Sequence, residues 1–370
     1  MTNRCCATGS GLPVLSIFVL LSLLLSLIPS GEAFGQSHPE GELKLKMTPS
    51  PKAELNLKEI SYNIVYETFR KTNGKENWEL YLINADGTNA VNLTNTPDAD
   101  EMFPHASPDG TKLCCVVDEI VKNKKVRNVY CMNIDGTDRM KVAENARQPC
   151  WSADGTKIAY LKGEFERYAP KIYATSGLFF YDIKTRQHRE HPNKKLHHLF
   201  NICWSPDGEW FVATVHGGMG FKHAQLAIEA NGMSVYDLTQ YGVTGCRPEF
   251  GPDGTRLTWG KTDWDLCVGK IDLTAAKPKV TDVRRIVACD KEHEVYHTDF
   301  SPDGKYIAFS YGPKANENVG GKAPGWNICV TDLAGHCVQV TTDGHHNKEP
   351  DWVPIGEAQP AMHGGAREKE

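Results

Sequence analysis

The stretch Asp299-Phe300-Ser301-Pro302-Asp303-Gly304-Lys305-Tyr306-Ile307-Ala308-Phe309 carries the pattern from which the fold is read. Serine, proline, aspartate and glycine in that order suit a type I turn: proline presets the backbone at the second position and glycine accepts the left-handed exit. An aromatic residue precedes the turn and a β-rich run, Tyr306 to Phe309, follows it, so the segment reads as a hairpin. The motif starts at Ser107, Ser152, Ser205, Gly251 and Ser301, at successive intervals of 45, 53, 46 and 50 residues. Trp151, Trp204 and Phe250 take the aromatic place in three of the other units.

Each unit also holds a second hairpin. Glu79 to Ile83 leads into Asn84-Ala85-Asp86-Gly87, Asn128 to Met132 into Asp135-Gly136, and Leu178 to Tyr181 into a Lys184-Thr185 turn. Gln225 to Glu229, Leu266 to Ile271 and Asn327 to Val330 occupy the same place later in the chain. Four antiparallel strands in 45 to 53 residues is the size of one propeller blade. The first unit has three strand-like runs, Ile60 to Glu67, Trp78 to Asn84 and Asn89 to Leu93, with no innermost strand before them. Conversely, Glu349 to Val353 resembles an innermost strand with nothing after it, and Trp352 lies 52 residues beyond Phe300. The expectation is an all-β, six-bladed β-propeller of four-stranded antiparallel blades over residues 59–355, closed by the C-terminal strand.

The flanks read differently. Arg4, the uncharged apolar run Leu12 to Pro29 and the small residues around Gly31 and Ala33 predict a signal peptide over 1–33, hence a periplasmic or secreted protein. A retained membrane anchor is the alternative reading of the same run, and no later segment is apolar enough to span. Residues 34–58 and 356–370 lack the repeat and read as a linker and a tail. Net charge is −5, with no basic excess, which argues against a nucleic-acid partner. Ten cysteines follow Cys5 and Cys6, an even number in a compartment that permits disulfides. If Val117 opposes Val129 across a hairpin, Cys115 faces Cys131 and a disulfide is expected there. No CxxC occurs, so a structural zinc site has no support.

The aromatic-Ser-Pro-Asp-Gly turn with its Ile-Ala-Phe or Ile-Ala-Tyr strand resembles the blade repeat of the TolB-like propellers. Asn133-Ile134-Asp135-Gly136 and Asn84-Ala85-Asp86-Gly87 match the second turn of that repeat, and Asn92-Leu93-Thr94 resembles its Leu-Thr ending. The resemblance covers about Ile60 to Pro354 and implies the fold more sharply than the function. About 25 residues separate the signal from the first strand, too few for the α/β domain that TolB carries. No GxSxG lies downstream, so the catalytic domain of the prolyl oligopeptidases is not expected either.

Strand direction places the Ser-Pro-Asp-Gly turns at the bottom of the ring and the long connections, such as Val215 to His223, at the top, where binding usually resides. Nine of the fourteen histidines fall in or beside top connections: His191, His197, His198, His216, His223, His293, His297, His345 and His346. Val215 to His223 reads either as an ordinary glycine-rich hairpin connection or as a loop that holds an anion or metal. Innermost strands supply a tunnel lining. Immediately before the aromatic place stand His105, Cys150, Cys203, Glu249, Asp299 and Asp351; two residues earlier stand Phe103, Gln148, Asn201, Arg247, His297 and Glu349. Alternation puts both sets opposite the tryptophans.

From these, His105, Gln148, Asn201, Arg247, Glu249, His297, Asp299, Glu349 and Asp351 are the candidates for binding a protein, peptide or glycan at the top of the tunnel. The alternative is a metal-dependent enzyme resembling oligogalacturonate lyase, a polysaccharide lyase, in which a divalent metal is held by His297, His346 and Gln148, matched by location alone. No HExxH motif is present to favour that alternative.

Overall fold

A computed structural model describes residues 55–163, 174–261, 264–316 and 324–355. The N-terminal apolar run and the tail from Gly356 lie outside these, as do parts of two long connections, at 164–173 and 317–323.

Strands follow one another in hairpins, as the turn chemistry requires. The first blade contributes β1 (Tyr62–Thr72), β2 (Lys75–Asn84) and β3 (Val91–Asn92). The second holds β4 (Asp100–Ala106), β5 (Lys112–Val121), β6 (Lys124–Asn133) and β7 (Met140–Glu144); the third β8 (Ala146–Trp151), β9 (Lys157–Gly163), β10 (Thr175–Asp182) and β11 (His188–Glu190). The fourth holds β12 (Leu199–Trp204), β13 (Trp210–His216), β14 (His223–Glu229) and β15 (Val235–Asp237). The fifth holds β16 (Cys246–Phe250), β17 (Arg256–Gly260), β18 (Leu266–Asp272) and β19 (Lys279–Val287). The sixth holds β20 (His293–Phe300), β21 (Tyr306–Pro313), β22 (Asn327–Asp332) and β23 (Cys337–Gln339), and β24 (His346–Pro354) follows. Each group is a four-stranded antiparallel sheet, and β24 pairs with β1 to complete the first. Six blades closed by the C-terminal strand are thus the observed architecture.

The repeated turn is fastened by its own side chains. At the last one, Ser301 Oγ donates to Asp303 at 2.7 Å, Tyr306 N donates back to Ser301 Oγ at 3.0 Å, and Gly304 takes φ 67°. Apolar side chains fill the seam between neighbouring blades. Trp352 packs with Ile64, Tyr66, Ala308 and Ile328 between the sixth and first blades, while its neighbour Val353 packs with Val65, Leu113 and Cys115 between the first and second. Leu57, in a short 3₁₀ turn (Leu57–Glu59), joins the first of these cores, so packing begins just before the first strand.

One expected register is wrong by a residue. Val116, not Val117, opposes Val129, so Cys114 faces Cys131 and Cys115 faces Tyr130. The β5–β6 hairpin turns through only Lys122 and Asn123, both left-handed at φ 50° and 60°, and this two-residue loop sets the pairing. A one-residue slip moves a side chain to the other sheet face, and Cys115 therefore points into a different core from Cys131. Every described cysteine is a free thiol.

Candidate functional site

The innermost strands β4, β8, β12, β16, β20 and β24 share an irregularity that places the tunnel side chains. Phe103, Gln148, Asn201, Arg247, His297 and Glu349 all adopt left-handed backbone, with φ between 45° and 58°. At the same place in each blade the pairing of the innermost strand with its neighbour slips. These are bulges, and they re-aim a side chain that a regular pleat would have sent elsewhere. Left-handed backbone costs a non-glycine residue of order 1–3 kcal/mol, and here it recurs in every blade. In four blades the residue that follows is proline, which cannot donate to the ladder: Pro104, Pro149, Pro248 and Pro350.

The backbone groups freed by the bulges are bound across the seams. Phe103 N donates to Glu67 at 2.8 Å, Asn201 N to Gln148 Oε1 at 2.8 Å, Arg247 N to Thr214 at 3.1 Å and Glu349 N to Ser310 at 2.9 Å. The second set laces the ring one step deeper. Asp299 accepts from Trp352 N at 2.9 Å, Asp351 from Ala106 N at 2.9 Å and Cys203 Sγ from Phe250 N at 3.4 Å.

Electrostatics concentrate on one side of the mouth. Arg247 Nη1 pairs with Glu349 Oε2 and lies 3.1 Å from His297 Nδ1, which is itself 2.8 Å from Glu349 Oε2. That imidazole nitrogen can donate to the carboxylate or accept from the guanidinium, according to tautomer. The Arg247 guanidinium also lies 3.9 Å from the centre of the Tyr296 ring, and Lys348 Nζ sits over Tyr296 and Trp326 at 4.8 and 4.4 Å. Burial would raise the Glu349 carboxyl, but the Arg247 charge, helped by His297, holds it at about 2. Burial lowers His297 against the pull of Glu349.

Deeper carboxylates behave oppositely. Burial, then the charge of Glu349, raises Glu67 to about 8. Burial pushes Asp351 up to about 7 against the Ala106 N–H, and it puts Glu249 and Asp299 well above the usual range, each raised further by a neighbouring carboxylate. Such groups bind a proton on folding, so stability is greatest where the unfolded carboxyls are also protonated and falls as pH rises from about 4 through 7 and beyond. Glu349 has the opposite sign: its contribution is present above its ordinary value and is lost as pH falls towards 2. The raised carboxyls therefore favour folding near pH 4 to 5 and oppose it toward pH 8, while His105, His191 and His297, lowered by burial, act in the opposite sense. Relative to the parent, Asp351→Asn should gain stability as pH rises from 5 to 8, with about 4 kcal/mol as the ceiling for a shift of this size. A variant whose stability follows the parent's slope from pH 5 to 8 would refute this assignment.

The tunnel brings most of the expected residues together. His105, Gln148, Asn201, Arg247, Glu249, His297 and Asp351 line one cavity with Phe103 and Thr298; Glu349 reaches it through Arg247 and His297, and Asp299 lies beside His105 and Asp351. The cavity has a volume of about 40 Å³, room for a few waters or the tip of a ligand, far below the ~300 Å³ of a small-molecule pocket. The buried Asn201 Oδ1, Arg247 Nε and Thr298 Oγ1 have no hydrogen-bond partner among the described residues. Gln148 and His297 share this wall, whereas His346 does not line it; its ring stacks on Phe69 with centroids 5.8 Å apart. Among the described residues no three His, Cys, Asp or Glu side chains converge as a metal site.

Sequence reading missed Glu67, Tyr296 and Lys348. A glutamate within the apolar run Ile64 to Thr68 was the available signal, since an unpaired charge does not persist in a core. The recurring X-Pro step was the available signal for the bulges.

A family model described as the TolB β-propeller domain matches residues 111–359, more than half of the chain. No curated protein matches the sequence. Among solved structures, TolB from Acinetobacter baumannii is similar at 17% identity and a TM-score of 0.59, over 80% of this chain and 67% of that one. A protein described as a TolB of Agrobacterium tumefaciens is similar at 16% identity and a TM-score of 0.54, over 80% of this chain and 99% of that one. A chain of a nidogen/laminin complex follows the same path at 9% identity and a TM-score of 0.53, over 79% and 98%. At these identities the likenesses speak for the fold.

Proposed function

This chain belongs to the TolB β-propeller domain family, and on that premise we propose that it is an exported binding scaffold recognising a protein, peptide or glycan at the top of its central tunnel. The observation that carries the reading is the ring of six left-handed residues, Phe103, Gln148, Asn201, Arg247, His297 and Glu349. Strain repeated at one place in every blade favours a role at that place. The unpartnered polar atoms of Asn201 and Arg247 beside it suit a polar group arriving from outside. The volume of the cavity admits an extremity of the ligand, a side-chain tip or a sugar hydroxyl, while the bulk of the partner rests on the surrounding loops. Export rests on the basic start and apolar run that open the sequence; no described helix is long and apolar enough to cross a membrane.

The test is a screen of the parent protein against displayed peptides and an oligosaccharide array, followed by titration of the hits against Gln148→Ala and His297→Ala. Each lost hydrogen bond to a charged or buried group contributes about 1.5 to 3 kcal/mol, so each variant should bind its hits at least tenfold more weakly. Hits indifferent to both substitutions, or no hits in either screen, would overturn the reading.

A further inference from the structure

The connection Val215 to His223 joins β13 to β14 at the top of the fourth blade and takes no part in the tunnel. It brings two histidines face to face. His216 and His223 are direct partners across the hairpin, and both are exposed. Gly217 N donates to Lys222 O at 2.6 Å, which makes the next pair back, His216 with His223, a non-hydrogen-bonded pair. In such pairs the two backbones approach most closely and the side chains on one face lie nearest each other. The imidazole centroids are 5.2 Å apart with their planes at 87°. The Phe200 ring neighbours both, with centroids 6.1 Å from His216 and 6.3 Å from His223.

We propose that His216 and His223 form a surface site for a borderline divalent transition ion of the zinc, nickel or copper class, each giving one imidazole nitrogen, with water completing the coordination. Imidazole is the protein ligand these ions share. The loop between the ligands adds no bulk over them: a side-chain carbon at Gly217 or Gly220 would meet nothing within 4 Å.

Titrating the full chain with zinc chloride by calorimetry, and with copper(II) by electron paramagnetic resonance, tests the site. Parent protein should take up zinc saturably, and copper should show nitrogen coordination. His216→Ala and His223→Ala should each weaken zinc at least about tenfold, the scale on which disturbed metal shells respond. His297→Ala and His346→Ala should leave the titration unchanged. Both side chains being exposed, the variants should melt as the parent does without metal, and zinc should raise the melting temperature of the parent alone. The proposal fails if the parent binds no zinc, if His216→Ala binds it as the parent does, or if loss follows His297→Ala instead.

Discussion

Deleting the chain from Glu349 onward should abolish cooperative folding of the propeller. The deleted segment of β24 supplies the inner pairing of β1 from Tyr62 to Val65 and delivers Trp352 and Val353 into two different cores, one on each side of the first blade. It also closes the ring through side chains: Trp352 donates to Asp299 through both its backbone N–H and its indole, at 2.9 and 3.1 Å, and Asp351 accepts from Ala106. Replacing a buried tryptophan by alanine costs about 3–5 kcal/mol. A whole strand with both of its cores exceeds the ~5–15 kcal/mol on which a domain's stability rests. Truncation after Ile355 leaves every described strand in place and should keep the parent's urea midpoint. If the chain ending at Lys348 melts with the parent's midpoint and cooperativity, closure by β24 is not what holds the ring.

The second large effect is expected at the tunnel's ion pair. Arg247 and Glu349 are each nearly inaccessible, with 6% and 2% of their side chains exposed, so removing either leaves the other charge buried. Breaking a buried pair in this way typically costs about 3–5 kcal/mol, whereas exchanging both partners for apolar groups is often close to neutral. Arg247→Ala and Glu349→Ala should thus each lower stability strongly, and Arg247→Met with Glu349→Leu together should cost less than either alone. Denaturant unfolding of the three variants makes the comparison. Two single variants with near-parental stability would mean that water reaches the pair and that the tunnel is a hydrated lining. The pair is also a reason to separate His297 from Asp299 in binding experiments. Asp299 fastens Trp352, so its loss disturbs ring closure, while His297 faces the cavity.

How far the sequence goes is clearest at these same residues. The turn motif is a local instruction: serine, proline, aspartate and glycine fix a few dihedrals within one short segment, and their intervals of 45 to 53 residues count the blades without reference to anything distant. Trp352 could be placed as the missing inner strand of the first blade because it kept that interval. The tunnel residues were recognisable by position, since innermost strands must face the axis. Their conformation was not, because alternation presumes a regular pleat and each strand breaks it with a bulge.

What only the tertiary structure decided is how residues far apart in the chain meet. Arg247 joins His297 across 50 residues and Glu349 across 102, and Glu67 reaches Phe103 from another blade. Such meetings depend on ring closure and on the angle between blades, which no short segment encodes. The cysteine register turned on one residue of hairpin length, Lys122 and Asn123 adopting a tight left-handed turn without a glycine. By itself, the sequence determined the repeat, the six blades and their closure, because turn chemistry and spacing act locally. The tertiary structure alone decided which side chains share the tunnel and in what ionisation state, because burial and charge are properties of the assembled ring.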